Sequence, residues 1–185
     1  MVGRFQIGVS SNRVGKFLVA RPNIQQGFFS KSVVYIYEDG PQGTAGVALN
    51  EPTPITLRHM AAQVGVNCGY DDIKVFRGGP VNENAVSLVH TPDFQSQNTF
   101  HTQAALDISS DTEMIHRLAS GEQPAYFRLT TGASVWGPGQ LDSEFKRGFW
   151  LLGDLELDQV LTMSGDAQWY RAIELIGNKM FAKFI

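Results

Sequence analysis

Cysteine is almost absent from this chain: Cys68 stands alone, so no disulfide can form within it, and this suits a reducing compartment. Long apolar runs are missing too, and without them no transmembrane helix is expected. Near the start, Gly3, Arg4, Gln6 and Gly8 interrupt the apolar residues, so no secretory core is expected there. Acidic residues are missing from positions 1–31, which hold Arg4, Arg13, Lys16, Arg21 and Lys31. Internal repeats, low-complexity tracts and Pro/Ser-rich linkers are also lacking. What is present is ordinary: 185 residues, 43% hydrophobic and 18% charged, enough for one domain with a proper core. These features predict a soluble cytoplasmic protein, one domain over 1–185, with a basic arm at about 1–14.

The net charge of −3 is unevenly spread, since the chain beyond residue 31 carries 10 basic and 18 acidic side chains. A basic segment on an acidic body suits nucleic acid, a partner's acidic face, or the body itself. No recognition helix and no aromatic-basic stacking pattern follows it, so direct nucleic-acid binding is the weaker reading.

Short strands alternate irregularly with short helices. Strands are predicted at Phe17–Ala20, Ser32–Glu38, Ala45–Leu49, Ile73–Phe76, Ala85–Val89, Ala125–Thr130, Trp150–Leu152 and Gln159–Met163. The second and third form a hairpin with a longer loop. Thr53 and Pro54 open a helix that carries Leu57, Met60, Ala61 and Val64 and stops at Gly65. Ser110 and Glu113 read as a capping box before Met114, Ile115 and Leu118, ending at Gly121. A short helix follows Gly137-Pro138-Gly139, with Leu141 and Phe145 on one face. A last amphipathic helix starts after Ser164, buries Trp169, Ala172, Ile173 and Ile176, and ends at Gly177. The pattern predicts an α+β fold with a mixed, largely antiparallel sheet.

Four ordered segments carry a family resemblance. They are Gly15-Lys-Phe-Leu-Val-Ala-Arg-Pro22 with Phe29-Ser-Lys-Ser-Val-Val-Tyr35, Gly46-Val-Ala-Leu-Asn-Glu-Pro52, Gly78-Gly-Pro-Val81 with Leu88-Val-His90, and Trp136-Gly-Pro-Gly-Gln-Leu141 through Glu144 to Trp150. Together they span nearly the whole chain, which resembles the AlgH/YqgE family of bacterial proteins. The resemblance implies a sheet curled into a barrel-like body with packed helices. It supplies no established activity, although some members are described as transcriptional regulators. The chain departs from the family pattern at Tyr37 and Asp39, where many relatives carry cysteine and histidine, and at Glu51 and Val135.

Candidate chemistry is sparse. Successive amides at Gly78 and Gly79, beside Arg77, are able to cradle an anion, although Gly-Gly-Pro also simply turns a chain. His90, at a strand end before Thr91-Pro92-Asp93, is a candidate general base with Asp93 or another carboxylate. Ser87 falls on the opposite strand face, and no GxSxG elbow exists. Glu113 and His116 make a single Glu-x-x-His, short of a di-iron set, and His59, His90 and His101 lack paired ligand spacing, so no metal is expected. No cofactor is expected either. Trp136, Gln140 and Trp150 either line a cleft or anchor the short helix. The leading expectation is a non-enzymatic module that holds a protein partner or small ligand in a cleft joining Asn50, Gly78, Gly79, His90, Trp136 and Gln140. A hydrolase or transferase using His90, and a nucleic-acid binder using the basic arm, are the alternatives.

Overall fold

A computed structural model describes residues 12–70 and 72–182, with the side chains of 180 and 181 left aside. Its strands are β1 (Phe17–Ala20), β2 (Val33–Gly40), β3 (Gly43–Ala48), β4 (Pro52–Thr56), β5 (Lys74–Arg77), β6 (Val81–His90), β7 (Thr99–Phe100), β8 (Asp107–Ser109), β9 (Phe127–Trp136) and β10 (Trp150–Gly153). Its helices are α1 (Leu57–Gln63), α2 (Thr112–Ala119), α3 (Gln140–Lys146), α4 (Leu157–Val160) and α5 (Gly165–Phe181). The strands join in the order β10-β1-β2-β3-β9-β6-β8-β7, while β4 and β5 branch off beside β9. All pairs are antiparallel except β5 with β9.

The sheet does not close into the barrel-like body expected: it is open and forks at β9. Leu129–Thr131 of β9 lie between β5 and β6, whereas Ser134–Trp136 pair with β3. The fork is made by glycine. Gly132 takes φ +75°, and a Cβ on Gly79 would stand 2.0 Å from the Ala133 carbonyl, so the two chains cross in backbone contact.

Strand β1 shows how the core is layered. Its four residues are fully buried, and alternation sends Phe17 and Val19 to one face and Leu18 and Ala20 to the other. The first face packs on Trp169, Ala172 and Ile176 of α5. The second packs on Leu141 of α3 and on Trp136 and Trp150. A third cluster sets α1 and α2, through Leu57, Met60, Met114 and Leu118, against Val75, Leu88 and Leu129.

Several sequence-based boundaries move. Residues 53–56 pair as strand with β5, where Thr53 Oγ1 donates to the Val75 carbonyl, so α1 starts after Thr56 instead of at Thr53. Asp111, and not Ser110, caps α2 by accepting from the Met114 amide. The β2–β3 hairpin is tight, with Gly40 opposite Gly43 across Pro41-Gln42. Gly177 does not stop α5, which runs on to Phe181, and Ile173 is only partly buried. The strand expected at Gln159–Met163 is instead the end of α4 and a turn, because Leu157, Val160 and Leu161 at helical spacing turn inward together. Among the described residues, no helix is long and apolar enough to cross a membrane.

Candidate functional site

The tryptophan segment closes around one carboxylate. Trp136 and Trp150 both donate their indole N–H groups to Glu144 Oε2, at 3.0 and 2.7 Å, and Gln140 Nε2 donates to Oε1 at 3.1 Å. The two indoles meet edge to face at 5.9 Å, and Phe29 stacks on Trp136 at 5.4 Å. Both rings are buried. Gln140 Oε1 also accepts from the Gly137 amide and so ties the turn to the helix it begins. This bracket locks α3 onto the sheet, with each polar atom named here engaged.

Asn50 is similarly engaged. Its Oδ1 accepts from the Val33 amide at 2.8 Å, and its Nδ2 donates to the Lys31 and Gly165 carbonyls, fastening β2 to the start of α5. It borders a hollow of about 240 Å³ with Phe28, Pro52 and Gly165. Trp136 borders a different hollow of about 280 Å³ beside the Pro41-Gln42 turn. Gly78 donates its amide to the Thr131 carbonyl, and its own carbonyl accepts from Ala48 N–H and Ser134 Oγ. Arg77 faces Glu83 at 2.8 Å and Glu51 at 3.9 Å, so the cation beside the glycines already has carboxylates.

His90 is fully buried. Its Nδ1 lies 2.8 Å from the Thr91 carbonyl, which only accepts, so Nδ1 carries the proton and Nε2 accepts from Ser109 Oγ at 2.8 Å. Burial pushes the imidazole below its ordinary pKa. Among the described residues no carboxylate bonds it directly: Asp93 instead accepts from Thr91 Oγ1 and the Ala125 amide. Ser109, nineteen residues from His90 in the chain, was invisible to local spacing. A histidine–carboxylate pair exists elsewhere. His101 Nδ1 stands 2.8 Å from Asp107 Oδ2, whose other oxygen accepts from the Thr102 amide, and the His101 ring is exposed. Six residues and a loop separate this pair, a spacing with no sequence signature.

Other candidates disperse. The Cys68 Sγ makes a weak contact to the Tyr70 carbonyl at 3.6 Å. Among the described residues, no three His, Cys, Asp or Glu side chains come together as metal ligands. Arg4 and most of the basic arm lie outside the described residues. Of those described, Arg13 binds Asp39 and Asp142, Lys16 binds Asp154, and Lys31 binds Asp166, so these cations sit on the acidic body.

Residues 17–181 match the family described as AlgH-like. The chain belongs to the AlgH-like family. It is 30% identical over 178 residues to a UPF0301 protein of Acidovorax sp. (strain JS42), covering 90% of this chain and 89% of that one. It is 28% identical over 170 residues to a UPF0301 protein of Thioalkalivibrio sulfidiphilus, covering 91% of each. The solution structure of the AlgH protein from Pseudomonas aeruginosa superposes with a TM-score of 0.73 at 22% identity, covering 86% of each chain. A crystal structure of a Corynebacterium diphtheriae protein superposes at 0.67 with 23% identity, covering 87% of this chain and 85% of that one. These structures share the fold. The AlgH-like family has no established activity, and family membership therefore fixes the architecture and leaves the function to the site.

One residue that sequence reading missed stands apart. Arg128, on β9, lies on the wall of a hollow of about 480 Å³ with Phe76, Tyr126, Phe127, Leu129, Leu161 and Met163. As a single position in a predicted strand it carried no signal, because the groups that surround it come from distant segments.

Proposed function

We propose that this chain is a non-enzymatic binding module of the AlgH-like family, acting in the cytoplasm as one domain. It holds a small ligand or a protein partner, with a regulatory outcome of the kind described for some relatives. The observation that carries the reading is the state of His90. A base needs a partner and a path to substrate, and His90 with Ser109 has the first while full burial denies the second. The original cleft, joining Asn50, Gly78, Gly79, His90, Trp136 and Gln140, is less favoured as the binding place than the hollow beside Arg128. Most of its members are engaged in backbone or bracket contacts, whereas that hollow has the size and aromatic lining of a ligand site.

The test is a metabolite screen by thermal shift, run beside ester, phosphoester and peptide hydrolysis assays. A stabilising ligand with no turnover is expected. A hydrolase reading keeps one supporting observation, the exposed His101 oriented by buried Asp107. Turnover that disappears in His101→Ala, at unchanged melting temperature, would replace the binding reading with that one.

A further inference from the structure

The hollow beside Arg128 contains an imbalance of charge. It opens where the parallel strands β5 and β9 begin, between Ile73 and Lys74 on one side and Tyr126 and Phe127 on the other. The turn at Leu161–Ser164 closes it. Inside, the Arg128 guanidinium stacks over the Phe76 ring at 4.6 Å. Its Nη2 donates to the Leu161 and Met163 carbonyls at 2.6 Å each, and Nε donates to the Leu49 carbonyl at 3.2 Å. Nη1 makes one long bond, 3.3 Å, to the Phe127 carbonyl. A guanidinium has five N–H groups, so one on Nη1 is left over.

All these acceptors are neutral. Among the described residues no carboxylate lies within ion-pair distance of Arg128, whereas Arg117 and Arg171 each have one and Arg13 and Arg77 each have two. Burial without a counter-charge pushes the Arg128 pKa down to about 10. Buried charges are ordinarily paired, because carbonyl dipoles offset only part of the lost hydration. Lys74, at the rim, also lacks a carboxylate partner among the described residues. Among the described residues Asp72 is the single acid in the lining, against Lys74 and Arg128, so the described lining carries one net positive charge. Its walls are Phe76, Tyr126, Phe127, Leu129 and Met163.

We propose that this hollow binds a small organic monoanion, a carboxylate on a planar apolar body. The ring lies against the aromatic wall, and the carboxylate takes the free Nη1–H of Arg128 with the Lys74 ammonium as outer partner. The inference rests on the binding reading above and names its ligand class. One negative charge matches the excess of the described lining residues, and the apolar walls favour a body over a bare inorganic anion.

The probes are benzoate, its neutral isostere benzamide, and the cation benzylamine, followed by backbone amide shifts in two-dimensional NMR of the full chain. Benzoate is expected to shift the amides of Ile73, Phe127 and Met163, with a dissociation constant of about 1 mM as befits so few atoms. Benzamide should bind about tenfold more weakly, and added salt should weaken benzoate alone. Arg128→Gln should abolish benzoate binding. Because that variant also loses the turn contacts and can fail to fold, Lys74→Gln provides a second reading, with benzoate about threefold weaker in a folded protein. Equal binding of benzoate and benzamide, preference for benzylamine, or benzoate shifts unchanged in folded Arg128→Gln or Lys74→Gln would overturn the carboxylate inference while leaving a binding module in place. No shift at this hollow from any probe overturns it as well, and the thermal-shift screen then judges the broader reading separately.

Discussion

The indole bracket around Glu144 and the hollow beside Arg128 lie toward opposite ends of the same strand, β9, and differ in how fully a charged group is surrounded. At the Trp136 end, one carboxylate receives two indole N–H groups and an amide, amid stacked aromatic rings. At the Phe127 end, one guanidinium lies over the Phe76 ring and donates to carbonyls only, beside open volume. The first arrangement is complete without a ligand. The second leaves one Nη1–H of Arg128 over, which a ligand can take. The residues most conspicuous in the sequence therefore brace the fold, and an inconspicuous arginine is the better binding candidate.

Both regions depend on the glycine crossing between them, so the largest expected effect is there. Gly79→Ala forces a methyl into the Ala133 backbone and should cost about 4 kcal/mol or more, disturbing bracket and hollow together. Urea denaturation followed by tryptophan fluorescence reads this directly. A cost below about 1 kcal/mol would show that the crossing is looser than described.

Next in size is Glu144→Ala, which leaves two buried indole N–H groups without their acceptor and should cost about 3 kcal/mol. Glu144→Gln keeps an acceptor oxygen and should recover about half of that loss. Equal stability of all three proteins would dissolve the contrast between a closed bracket and an open hollow.

A smaller effect follows from pH. His90 titrates below its ordinary value in the folded state because it is buried, so the unfolded chain takes up its proton first. Stability from this source is complete above about pH 6.5 and falls as pH drops through that value toward the folded pKa. Asp39 acts at more acid pH. Burial alone would raise it, yet Arg13 and Thr44 hydrogen bonds outweigh that and hold it below the usual carboxylate range. Its contribution is present above about pH 4 and is lost as pH falls further. Denaturation midpoints between pH 7 and 5 should decline in the parent and flatten in His90→Gln; a decline of equal slope in both removes His90 from the explanation.

The smallest effect is expected at the rim of the hollow. Lys74→Gln should leave stability within about 0.5 kcal/mol of the parent, since the side chain is exposed and has no ion pair among the described residues. A larger loss would mean that Lys74 supports the frame.

Much of the architecture was legible, and the gaps have physical causes. Strand β1 matches its reading at Phe17–Ala20, because four apolar residues between Lys16 and Arg21-Pro22 leave little choice. The start of α1 was misread because Thr53 and Thr56 both suit a cap, and only pairing with β5 decides between them. The strand expected at 159–163 failed because a short apolar run fits either period until Leu157 is counted with Val160 and Leu161. The role of Glu144 was not legible, since its partners, two indoles, meet only after folding. Ser109 beside His90, Asp107 beside His101 and the carbonyls around Arg128 were hidden for the same reason: each contact joins residues that the chain keeps apart.

The most direct test of the division between brace and binding place is hydrogen exchange at the indole N–H groups of Trp136 and Trp150, measured by NMR in the native state. A closed brace predicts that both exchange only through global unfolding, with protection equal to the free energy from urea denaturation. Fast exchange at either ring in the stable protein would reveal a segment that opens locally, and the tryptophans would then belong to a working cleft.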